Sequence, residues 1–254
     1  MGGPGGPGGQ GGPGGQGGPG GGPGGPGGNA QSYNVSGAYS LTDGSSKTET
    51  DKTFTSDKQD VSAIYVANKN SKLTLINPTI KTTGNTSSQD GSSFAGLNAG
   101  ILASKGGSIT ATSGTIYTTG TGANAAFAYG AGATLNLSNM TIKAMSGGGH
   151  AVMTSGGGTI VAKNLDLYTA REHGAPYATD RGGGTIDVTG GTLVADGQDS
   201  PCLYSTGLIK VNGGKMRATI SEGAVIEGKN TIELTDVDLT GCAKCGAMIY
   251  QSFS

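Results

Sequence analysis

Side chains able to do chemistry are sparse in this 254-residue chain, which holds two histidines, three cysteines and no tryptophan. The densest group is Arg171, Glu172, His173, Asp180 and Arg181. Carboxylates beside a histidine in so short a stretch are what a polysaccharide lyase or hydrolase needs, with an acid and a base flanking one scissile bond. The same five residues also read as a solvated loop whose exposed ion pairs contribute little. Other acids are scattered. Asp166 and Asp238 stand three repeats apart, too far to share an ion, and the Gly-Gly-x-Gly-x-Asp calcium repeat is absent. No metal and no cofactor is expected.

Tyr117, Lys143 and Tyr168 form a second candidate, at successive spacings of 26 and 25 residues. If those spacings are turns of a stack, Lys143 lies between two phenol rings about 10 Å apart. Aromatic faces flanked by a donor suit sugar rings. Cation–π contact and cross-strand packing account for them equally well. A neighbouring column of Thr79, Thr115, Thr141 and Thr192 raises ice binding, but Asp166, Lys215 and Asp238 interrupt it.

The elements that position these residues follow from an internal period. Leu73, Ile109, Leu135, Ile160, Ile186, Ile209 and Ile232 are separated by 36, 26, 25, 26, 23 and 23 residues. Seven residues after each stands a second apolar side chain: Ile80, Ile116, Ile142, Leu167, Leu193, Met216 and Leu239. Alternation around both points predicts two short strands per unit. The turn between them carries Asn77, Ser113, Asn139, Asn164, Gly190, Gly213 and Asp236, mostly types that tolerate a positive φ. A third apolar stretch precedes each unit, from Ala63-Ile64-Tyr65 to Ala224-Val225-Ile226, and Ala247-Met248-Ile249-Tyr250 begins an eighth copy. Three strands per turn, stacked seven to eight times, predict an all-β, right-handed parallel β-helix. The one long interval carries a polar excursion, Gly84–Ser93, expected as an edge loop.

Residues 1–29 form a Gly/Pro/Gln-rich tract, expected as a disordered tail, since nothing in it can build a core. Residues 30–62 are expected as an N-terminal cap and lead-in, and residues 63–254 as the β-helix. Net charge is −1 and the pI about 6.1, with no basic run, which argues against a nucleic-acid partner. No apolar stretch approaches the ~18 residues of a membrane span.

Asp180-Arg181-Gly182-Gly183-Gly184-Thr185-Ile186, Ser200-Pro201-Cys202-Leu203-Tyr204-Ser205-Thr206-Gly207, Val225-Ile226-Glu227-Gly228-Lys229-Asn230 and Ala247-Met248-Ile249-Tyr250-Gln251-Ser252-Phe253-Ser254 are carried by a wider likeness over residues 30–254. The chain resembles secreted right-handed parallel β-helix proteins of anaerobic bacteria, described as adhesin-like or carbohydrate-binding-domain-containing. The resemblance implies an exported or cell-surface protein, a non-catalytic adhesin, glycan binder or spacer, and supplies no catalytic residue. It implies too that the chain is a fragment truncated within a coil. An uncapped β-helix end is unpaired and apolar, so end-to-end self-association is an alternative role. The expected partner is a polysaccharide or another surface protein. In an exported protein the lone CxxC, Cys242-Ala243-Lys244-Cys245, is expected as a local disulfide. Zinc would want a second pair, and haem a histidine where Gly246 stands. Cys202 reads as a small buried hydrophobe.

Overall fold

The structure is a computed structural model that describes residues 33–242 and 245–251; the tail expected over residues 1–29 lies outside the described residues. The chain coils through three parallel sheets of nine, eight and eight strands, three strands per turn, in a β-helix of about eight turns. Sheet A holds Ser36–Leu41, Val61–Ala67, Ile101–Ser104, Ala126–Tyr129, Val152–Ser155, Tyr177–Asp180, Leu203–Ser205, Ala224–Glu227 and Ala247–Tyr250, in that order. Sheet B runs from Ser46–Thr50 to Thr231–Thr235 and sheet C from Thr53–Ser56 to Asp238–Thr240.

The periodic aliphatics stack as the sequence predicts. Leu73 pairs with Ile109, Ile109 with Leu135, Leu135 with Ile160, Ile160 with Ile186, and Ile186 with Ile209. The second column runs in register from Ile80 through Ile116, Ile142, Leu167 and Leu193 to Met216. Both columns are buried in one continuous bore. No single turn could bury these side chains, and the stack does so at roughly 1.5–3 kcal/mol each. All seven turn residues between sheets B and C adopt positive φ, between 50° and 74°. Asn, Asp and Gly at those corners therefore match a conformation that costs other residues about 1–2 kcal/mol.

Residues 36–56, within the segment expected as a cap, form a complete first turn in register with the second. Lys47 and Glu49 lie over Leu73 and Leu75, so charged side chains stand where the bore is otherwise aliphatic. Tyr39 and Phe54 meet edge to face above it, with ring centroids 5.1 Å apart. A polar, atypical terminal turn is how a solenoid closes its end.

The excursion expected as an edge loop is in part helical: α1 (Gln89–Ala95) begins within it and runs two residues past its end. Ser88 caps its start by accepting from Gly91 N at 3.0 Å, and Gly96 ends it in the left-handed conformation at φ 76°. A Cβ on Gly96 would lie 2.8 Å from Leu102 and 3.1 Å from Phe127, so the helix end sits directly on sheet A.

Candidate functional site

Sheet A differs from the other two in being apolar on both faces. Ile64, Val66, Ile101, Ala126, Ala128 and Val152 point into the bore. The alternate positions Tyr65, Leu102, Phe127, Met153 and Ala178 form a second buried cluster on the outside. This outer column continues in register through Tyr204 and Val225 to Met248. An outward apolar column needs a cover, and α1 provides it around Leu102 and Phe127. Ser155 Oγ donates to Phe94 O at 2.7 Å, Asn124 Nδ2 to Ser92 O at 2.9 Å, and Ser92 Oγ to Gly122 O at 2.5 Å. Arg181 stacks its guanidinium on the outer face of Phe94, 3.7 Å from the ring centroid.

Beyond α1 the column is open and becomes the floor of a groove of about 980 Å³. Tyr204, Val225 and Met248 form that floor. Asp90, Ser93 and Phe94 close one end. One wall consists of the corners that lead into sheet A: His150, Glu172, His173, Asp199, Pro201 and Glu222. Asp180 and Tyr250 stand on the opposite side. These corners are held by hydrogen bonds from one turn to the next. His150 N donates to Asn124 Oδ1 at 2.9 Å, and Gly174 N to Ser200 Oγ at 3.0 Å.

Of the carboxylates that line the groove, Asp180 and Glu222 are buried, and Asp90, Glu172 and Asp199 are exposed. Asp180 is only 7% exposed. Its Oδ1 accepts from Arg181 N at 2.6 Å, and Oδ2 has no hydrogen-bond partner among the described residues. Burial raises its pKa to about 6, with the negative charges of Glu227 and Asp90 adding to the rise and Arg181 opposing it. His150 places Nδ1 at 3.1 Å from Ala175 O, so Nδ1 carries the proton and Nε2 is left as an acceptor. Burial, aided by the charge of His173, lowers its pKa to about 4 and keeps the ring neutral. Tyr204 and Tyr250 both donate to Glu227 Oε2, the latter at 3.1 Å. Burial raises both phenol pKa values, and the Glu227 carboxylate adds to the rise. Two tyrosine hydroxyls that belong to the groove lining are thus held on one carboxylate.

The sequence-derived candidates distribute as follows. From the Arg171–Arg181 cluster, Glu172, His173 and Asp180 line the groove. Arg171 lies outside it, its carbonyl accepting from Ser200 Oγ, and Arg181 is turned onto Phe94. Among the described residues the ion pair is Lys210–Glu233 at 3.2 Å, so the two arginines do not bridge to Glu172 or Asp180. Tyr117, Lys143 and Tyr168 stack in register on sheet C, away from the groove. Tyr168 donates to Asp196 Oδ2 at 3.0 Å, which raises the phenol pKa and, after the Thr219 bond, lowers that of Asp196. Cys202 is fully buried and its thiol pKa is pushed up to about 12 by burial. Cys242 and Cys245 are exposed free thiols. No group of three metal-ligating side chains occurs among the described residues, and no described helix is long and apolar enough to cross a membrane.

His150, Asp199, Tyr204, Glu222 and Tyr250 were not singled out from the sequence. A signal for the groove was present. The third strand of each unit is apolar at consecutive positions, as in Ile101-Leu102 and Val152-Met153, which marks a strand covered on both faces. Comparison with models of protein families, with curated proteins and with solved structures finds no match to this chain.

Proposed function

We propose that this chain is an exported, adhesin-like β-helix that binds a glycan in the groove beyond α1. The observation that carries the reading is the pairing on Glu227 of Tyr204 and Tyr250, which line a groove of about 980 Å³. Its volume lies near the top of the ~300–1,000 Å³ range of small-molecule sites. Apolar floor, aromatic faces and convergent polar walls are the combination that receives pyranose rings. Tyr117, Lys143 and Tyr168 offer a second sugar-facing surface on sheet C, flatter and without walls. A glycan array separates the two. Loss of signal in Tyr250→Ala alone supports the groove, and loss only in Tyr117→Ala and Tyr168→Ala moves binding to sheet C. Unchanged binding in all three variants overturns both surfaces.

Asp180 favours a second reading, hydrolysis or lysis of the bound glycan. A carboxyl raised to about 6 inside a groove is held where it can deliver a proton near neutrality. Product release from a polysaccharide panel, lost in Asp180→Asn and His173→Ala, would establish it. Binding without product release in the wild-type chain leaves the non-catalytic reading.

A further inference from the structure

The ligand's charge is inscribed in the groove. Among the described residues five carboxylates line it, those of Asp90, Glu172, Asp180, Asp199 and Glu222, and no lysine or arginine does. The guanidinium of Arg181, next in sequence to Asp180, is stacked on Phe94. Of the two lining histidines, His150 is held neutral by burial. Lining groups keep hydrogen-bonding capacity with no partner among the described residues, among them Oδ2 of Asp180, whose Oδ1 accepts from Arg181 N on a side chain only 7% exposed, and Nε2 of His150, whose Nδ1 donates to Ala175 O. Both are acceptors when Asp180 is ionised, so they ask for donors. Tyr204 and Tyr250 line the same groove, and an aromatic ring can receive a cation on its face.

Resting on the reading of the groove as a glycan site, we propose that its ligand is a glycan bearing free amino groups, an amino-sugar polymer rather than a neutral or uronic-acid one. Ammonium groups on successive sugars satisfy the wall carboxylates and the open acceptors, while the ring faces lie on the tyrosines. A uronic-acid polymer would bring its own carboxylates against five others, and like charges at such range repel. A basic peptide fits less well. Tyr177–Asp180, Leu203–Ser205 and Ala224–Glu227 are each paired on both sides within sheet A, so the groove offers no free strand edge to hold an extended main chain. The groove spans five successive sheet A strands, Val152–Ser155 to Ala247–Tyr250, about 19 Å at the usual strand spacing, room for several linked rings.

Titration calorimetry of the whole chain tests this with four probes: a β-1,4-linked glucosamine tetramer, its fully N-acetylated counterpart, a galacturonic acid tetramer and tetralysine. The glucosamine tetramer is expected to bind about tenfold more tightly than the N-acetylated one, with affinity falling as salt is raised. Glu172→Gln and Asp199→Asn, both at exposed wall positions, are each expected to weaken it several-fold. They should weaken the N-acetylated tetramer less than the glucosamine tetramer, so that the preference between the two narrows. Equal or tighter binding of the N-acetylated or galacturonic acid tetramer overturns the charge assignment while the glycan groove stands. Tighter binding of tetralysine than of any saccharide overturns the glycan assignment and makes this an acidic peptide groove. Binding of none of the four overturns both the amino-sugar assignment and the groove as a glycan site.

Discussion

Asp180→Asn is the substitution whose consequence follows most directly from the geometry. In the folded chain the carboxyl titrates at about 6, against 3.8 for the free side chain, chiefly because burial penalises its charge. At about 1.4 kcal/mol per unit, that difference is on the order of 3 kcal/mol. Below about pH 4 the side chain is protonated in both the folded and unfolded states and there is no penalty. Between about 4 and 6 the folded state holds a proton that the unfolded state has released, and the contribution to stability drains away as pH rises. Above about pH 6 the folded state carries a buried carboxylate at full cost. Asparagine keeps an oxygen to accept from Arg181 N and carries no charge. Urea unfolding followed by circular dichroism is therefore expected to show Asp180→Asn close to wild type at about pH 4 and more stable by up to ~3 kcal/mol at about pH 8. Other titrating groups cancel in the difference between the two chains. A variant that is destabilised at the higher pH, or offset equally at both, would refute the assignment of a desolvated carboxylate to the groove.

Other consequences are as direct. Ile160→Ala opens a cavity in the middle of the bore and is expected to cost about 2–5 kcal/mol, read as a lowered melting temperature. Asn139 sits at φ 52°, so Asn139→Ala should cost roughly 1 kcal/mol, with Asn139→Gly near neutral, in the same assay. Mass spectrometry of the protein with and without reductant is expected to show Cys242 and Cys245 joined after oxidation, with Cys202 unreactive throughout; modification of all three by a thiol reagent in oxidised protein removes the pairing. Leu234 and Ile249 are 43% and 75% exposed on the last described turn, and Ile249→Lys is expected to abolish any rise of mass with concentration in light scattering.

The bore was legible because its physics repeats. A strand that points inward at fixed offsets must show an aliphatic at the same place in every turn, and the offset of seven residues survives intervals of 23 to 36. The corners were legible for the same reason, since positive φ restricts residue type at each one. The first turn was not, because its inward positions over Leu73 and Leu75 carry Lys47 and Glu49 in place of aliphatics. Nor was α1. Its seven residues are too few for a helical period to emerge, and its sequence, Gln-Asp-Gly-Ser-Ser-Phe-Ala, is polar apart from its last two positions. The Arg171–Arg181 cluster was recognised as a group, but local sequence could not say that Arg181 would be drawn to Phe94, 87 positions earlier.

That long-range contact explains why a groove exists at this place in the solenoid. Apolar residues continue along the outer face of sheet A from Tyr65 to Met248, a longer column than a seven-residue helix can cover. At about 1.5 Å per residue α1 is roughly 10 Å long, enough for two to three strands. Phe94 and the Arg181 guanidinium mark where the cover stops. Past that point the same apolar column is flanked by acidic corners rather than by a helix, and Tyr204, Val225 and Met248 become a floor. One insertion in one turn therefore does two things: it buries the outer column upstream and makes its uncovered remainder a site. The groove is a property of the excursion and the repeat together, and neither alone would produce it.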